Sequence, residues 1–142
     1  MKKMYWKIIG ICAAVAAVLL WFYLPFHPKI EKEASTEVWV RPQLPEDVVP
    51  EDRDKAQILE AVEKLKCQRQ VFLFTKMRSF ETKKTVVISL HEEMEFPIYI
   101  YLYLNYPEDS YIDMRQKNYA ILNPEVLIEL MDEIYGLNYD WN

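Results

Sequence analysis

Three tyrosines, Tyr99, Tyr101 and Tyr103, stand two residues apart in the segment Ile98-Tyr99-Ile100-Tyr101-Leu102-Tyr103. On a strand that spacing sends all three rings to one face at intervals of roughly 7 Å, the geometry of a stacking platform for a sugar ring or a peptide. A second grouping is cationic. Lys76, Arg78, Lys83 and Lys84 gather around a segment in which Glu81 is the opposing charge, a basic hairpin suited to an anionic partner. The two groups are the candidate partner-binding residues. The structural alternative for the tyrosines is the second face of a half-buried sheet, since tyrosine favours strands and pairs well across them. For the basic residues it is neutralisation within the fold.

Catalytic constellations are sparse. His91 is followed by Glu92, Glu93 and Glu95, and carboxylates beside an imidazole are the raw material of acid–base chemistry. The spacing is not that of a His-Glu-x-x-His metal helix, and His27 is the other histidine of the chain, so the segment reads as an acidic turn and no metal site is expected. Ser35, Ser79, Ser89 and Ser110 lack the glycine-flanked elbow of a serine hydrolase. Gly10 and Gly136 are the two glycines, which excludes glycine-rich phosphate cradles, and no cofactor is expected.

The strongest single feature is the apolar run from Ile8 to Phe26, preceded by Lys2, Lys3 and Lys7. At about 1.5 Å of rise per residue it reaches roughly 28 Å as a helix, close to the thickness of a bilayer's hydrocarbon core. Tyr5 and Trp6 at one end, and Trp21 and Tyr23 at the other, are the aromatic types that settle at headgroup level. The lysines predict residues 1–7 as a cytoplasmic flank, 8–26 as a membrane anchor and the rest as extracytoplasmic. A cleaved secretory signal would close on small residues, whereas this run closes on Leu20-Trp21-Phe22-Tyr23-Leu24-Pro25-Phe26. Gly10, Ala13, Ala14, Ala16 and Ala17 offer small-xxx-small spacing, which allows anchor-mediated self-association. The short basic start, one span and compact outer part have the general style of a bacterial membrane protein.

Once the three flank lysines are set aside, the rest of the chain carries 14 basic against 22 acidic residues, which argues against general nucleic-acid or anionic-lipid binding. Cys67 is the one cysteine beyond the anchor, so no internal disulfide is available, and a half-buried helical position is expected for it. Pro28, Pro42, Pro45 and Pro50 punctuate residues 27–50, which read as a stalk with a short edge strand at Glu37–Arg41. Residues 51–142 then form one domain.

Within that domain, Ile58, Leu59, Val62 and Leu65 recur at helical spacing between Asp52 and Cys67. Period two follows at Gln70–Met77, Thr85–Leu90 and Ile98–Tyr106, with a further hairpin over Tyr111–Leu122 turning near Gln116–Asn118. Asn123-Pro124-Glu125 reads as a helix start with Asn123 as cap, Val126, Leu127, Leu130, Met131 and Ile134 as its stripe, and Gly136 as its stop. The predicted class is α+β: an N-terminal transmembrane helix, then a small antiparallel sheet with one amphipathic helix before it and another after it. The expected function is that of a non-enzymatic, membrane-anchored domain that binds a protein or cell-envelope partner. An envelope enzyme using carboxylates near His91 and an accessory subunit of a membrane complex are the alternatives.

Overall fold

The computed structural model describes residues 1–30, 37–41, 48–69, 84–92 and 95–137. The class is α+β, as expected. Helix α1 spans Lys2–Tyr23 and buries none of its residues in the domain. By length and composition it is able to cross a membrane. Beyond it the described strands form one antiparallel sheet in the order β1-β3-β4-β5-β6-β2. These are β1 Glu37–Arg41, β2 Cys67–Arg69, β3 Thr85–His91, β4 Ile98–Tyr103, β5 Tyr111–Met114 and β6 Lys117–Ile121. Helices α2, Asp52–Glu63, and α3, Glu125–Tyr135, pack together with one face of the sheet.

Period-two patterning decides which face that is. Val86, Ile88 and Leu90 of β3 lie opposite Leu102, Ile100 and Ile98 of β4, and all six are buried. Ile58, Val62 and Leu65, with Leu127, Ile128 and Met131 from α3, close over them. A shift of one residue in this register would expose the whole aliphatic set, so the pairing is strongly specified.

Described residues within the stretch expected as a stalk belong to the core. Ile30 is 7% exposed, and Val38 and Val40 are buried against the same cluster. The stalk expectation followed the prolines, whose restriction of the backbone is equally compatible with a fixed path across a surface. Each outer strand also has one isolated bridge, to Val48 beside β1 and to Phe26 beside β2. Val40 and Val48 exchange backbone hydrogen bonds of 2.8 and 2.7 Å beside β1, and Phe26 and Cys67 exchange bonds of 2.9 and 2.8 Å beside β2.

The helix expected from Asp52 to Cys67 stops at Glu63. Its continuation is pre-empted by the residue assigned to cap α3. The Asn123 side-chain amide donates to the Lys64 carbonyl at 3.1 Å, its oxygen accepts from the Lys66 N–H, and Leu122 N–H donates to the Lys66 carbonyl at 2.7 Å. The groups that another helical turn would use are thus satisfied from across the fold, and Pro124 takes the cap position of α3 instead. Gly136 ends α3 in the left-handed conformation as expected, with φ 61°. The β5–β6 turn falls at Arg115-Gln116, one residue earlier than expected, with φ of 53° and 63°. Positive φ at both central residues is the hallmark of the tight turn whose twist matches a hairpin. The predicted strand Gln70–Met77 lies outside the described residues.

Cys67 sits on β2 rather than on a helix and is fully buried, and burial pushes its thiol pKa up to about 12. The raised value means that the folded state resists thiolate formation. Its stabilising contribution is whole below the thiol's unfolded pKa, near 8.5, and is lost as pH rises from there toward 12. Thermal unfolding scans are expected to show falling stability across that alkaline window, with a shallower fall in Cys67→Val. An identical pH slope in the variant would show that other groups carry the effect.

Candidate functional site

The face of the sheet opposite the helices is half-buried and carries the tyrosines. Its outward positions are Glu37, Trp39 and Arg41 on β1, Val87, Ser89 and His91 on β3, and Tyr99 and Tyr101 on β4. Register aligns them in rows across the strands. Trp39 lies opposite Ser89, and Ser89 opposite Tyr99; Arg41 lies opposite Val87, and Val87 opposite Tyr101. Each row therefore has a large side chain, then a small one, then a large one. The small central residues leave a hollow of about 370 Å³, lined by Trp39, Arg41, Val87, Ser89, His91, Tyr99 and Tyr101.

The tyrosine wall is a packed array rather than a row of equal, free rings. Tyr101 stacks on Tyr111 of β5 with centroids 4.6 Å apart and planes 18° from parallel. Tyr99 lies 6.5 Å from Tyr101 and meets the edge of His91 at 6.5 Å. Tyr103, grouped with the other two by spacing, is 3% exposed and contributes nothing to the hollow. Its ring lies 6.2 Å from Tyr111, and the two hydroxyls are hydrogen-bonded. Burial raises the pKa of Tyr101, an effect reinforced by Asp113 and Tyr99 and eased by Arg41. Burial likewise raises Tyr103 and Tyr111, so these hydroxyls stay neutral at ordinary pH.

The opposite wall of the hollow is not among the candidates that sequence reasoning supplies. Trp39 is 39% exposed and donates from its indole nitrogen to Glu37 Oε2 at 3.3 Å. The signal was present in the alternation Glu37-Val38-Trp39-Val40-Arg41, but its pairing with β3 bridges some fifty residues and no local pattern reveals it. Of the basic group, Lys76, Arg78 and Lys83 lie outside the described residues. Lys84 is exposed just before β3, where its backbone N–H meets Asn105 Oδ1 at 3.1 Å, and it does not line the hollow.

His91 is exposed at one end of the hollow, with Glu37 as its cross-strand neighbour. Glu93 lies outside the described residues, and exposed Glu95 approaches Arg115 at 3.5 Å. Among the described residues no three His, Cys, Asp or Glu side chains are grouped so as to hold a metal ion. The hollow therefore offers aromatic faces, an imidazole, a guanidinium and a hydroxyl, groups that stack on and hydrogen-bond to a ligand. No protein family, curated protein or solved structure matches the chain.

The two faces of β4 should respond differently to substitution. Leu102→Asp places an unpaired carboxylate in the core and is expected to unfold the domain. Tyr101→Ser, which loses the stack on Tyr111, should cost about 1–2 kcal/mol, and Tyr99→Ser less than that. Urea titration monitored by circular dichroism checks the order. Equal losses for Tyr99→Ser and Leu102→Asp would place both faces in the core.

Proposed function

We propose that the chain is a single-pass, membrane-anchored, non-enzymatic binding module whose sheet-face hollow receives a protein segment or a cell-envelope polymer. The observation that carries the reading is the hollow itself: aromatic walls on two strands separated by the small residues Val87 and Ser89. Hollows of this composition recognise by ring stacking and a few placed hydrogen bonds. The anchor reading draws on α1, which is unburied and, from Ile8 to Tyr23, free of charged residues. Retention of the anchor is supported by the packing beyond it. Phe26 pairs with β2, and Ile30 belongs to the core, so removal of the apolar helix at its end would cut into the domain's own contacts. The lysine flank supports an orientation with the N-terminus in the cytoplasm and the domain outside.

Binding is tested with detergent-solubilised full-length protein against soluble envelope glycan fragments and a synthetic peptide array. Wild type should bind a member of one class, and Trp39→Ala combined with Tyr99→Ser should weaken that binding at least tenfold with the melting temperature nearly unchanged. Retained affinity in the folded double variant removes the hollow from consideration.

Orientation has its own measurement. Protease added to intact, wall-stripped cells should digest the domain and leave the N-terminal flank protected. Protection of the domain until lysis would reverse the orientation.

A further inference from the structure

The way the chain leaves α1 determines which end of the sheet faces back toward the anchor. Three successive contacts join β2 to the end of the helix. Cys67 pairs with Phe26, Gln68 Nε2 donates to the Tyr23 carbonyl at 3.1 Å, and Arg69 Nη1 donates to the Trp21 carbonyl at 3.1 Å. The Arg69 guanidinium also lies 4.0 Å from the centre of the Trp21 ring and 5.0 Å from that of Phe26. As β2 advances, its partners recede along the chain from Phe26 to Trp21. β2 thus runs back beside the end of α1, toward the helix's own start.

Register carries that direction across the sheet. Arg69 is opposite Tyr119 of antiparallel β6, so the Arg115-Gln116 turn lies three to four residues further on the same side, about 10 Å beyond Arg69. Tyr99 is opposite Asp113, which brings the start of β4, and Phe96 before it, to that same end. The contact between Arg115 and Glu95 at 3.5 Å ties the two turns together.

We infer that this end of the domain, presenting Phe96, Arg115, Gln116 and Lys117, is a membrane-contact surface that rests on the phospholipid headgroup layer. The inference rests on the anchor reading above. Trp21 marks the outer boundary of the span, Arg69 touches it, and a turn about 10 Å further in the returning direction reaches headgroup depth. The side chains suit that layer. Phe96 is 61% exposed, and aromatic rings favour the zone between hydrocarbon and water, while exposed Lys117 carries charge that pairs with lipid phosphate, and Arg115 does so by exchanging its loose 3.5 Å contact with Glu95 for a phosphate oxygen. His91 and Tyr99 lie toward this end of their strands, so the hollow is held near the membrane surface instead of being displayed far from it.

The test uses the full chain in vesicles of phosphatidylcholine and phosphatidylglycerol that contain a nickel-chelating headgroup lipid. A nitroxide is attached at Gln116→Cys, or at Glu108→Cys on the opposite end of the sheet, each in a Cys12→Ala background; buried Cys67 is left in place. Paramagnetic relaxation by the chelated nickel should be at least fivefold greater at position 116 than at position 108. Equal or reversed relaxation in protein that floats with the vesicles overturns the inference and leaves the anchor reading intact. Protein that fails to float overturns both.

Discussion

Helices α2 and α3 cover one face of the sheet, which imposes a division on β3 and β4. Val86, Ile88 and Leu90 on β3 and Ile98, Ile100 and Leu102 on β4 are buried without exception, and the residues between them are forced to the other face. That face cannot be aliphatic without creating a large exposed apolar patch. Tyrosine, tryptophan, serine, histidine and arginine occupy most of it, side chains that tolerate partial burial and contact with water, with Val87 between Arg41 and Tyr101. The hollow arises from the same constraint: small residues fall on the central strand β3 and large ones on its two neighbours, and a slip of one residue in either pairing would destroy it.

The second organising contact is the joint between α1 and β2. A helix ends with unsatisfied carbonyls and a partial negative charge, and Arg69 meets both with a hydrogen bond to the Trp21 carbonyl and a cation held over the Trp21 ring. Phe26 continues the joint by completing the β2 edge and meeting the Tyr119 ring edge-on at 5.1 Å. The result couples the helix to the sheet through backbone as well as side chains. His27 extends it, its Nδ1 lying 2.9 Å from the Leu65 carbonyl. A stretch that looks like a spacer by composition is in this way part of the domain.

Local periodicity made β3, β4, α3 and the Gly136 stop legible, because each is specified by its own side-chain pattern. The end of α2 was not, because its continuation is prevented by Asn123, distant in sequence, and a helical period that runs on through Leu65 carries no trace of that competition. β2 was hidden for the same reason: three residues are too few to establish a period, and their pairing with β6 is non-local. At the candidate site, spacing identified Tyr99 and Tyr101 but also recruited Tyr103, since alternation assigns a face without reporting what covers it. Trp39 and Arg41 entered the site through pairing between an early strand and a later one, which only the assembled sheet discloses.

In the proposed binding role the two walls of the hollow differ in stiffness, and the difference has a physical origin. Tyr101 is fixed by its stack on Tyr111, and Tyr111 in turn by its bond to Tyr103, so this wall is organised before any ligand arrives and loses little freedom on binding. Trp39 stands on the edge strand, beyond which the chain is paired at Val40 and Val48, and its one described polar contact is with the adjacent Glu37. An indole held this way can adjust to the thickness of what it covers, with only two side-chain torsions to order. Neutral phenols add a further consequence. The Tyr101 hydroxyl, a phenol already neutral at ordinary pH and raised further by burial, presents a hydrogen-bonding group without a fixed charge, and selection between charged and uncharged ligands falls to Arg41 at the margin of the hollow.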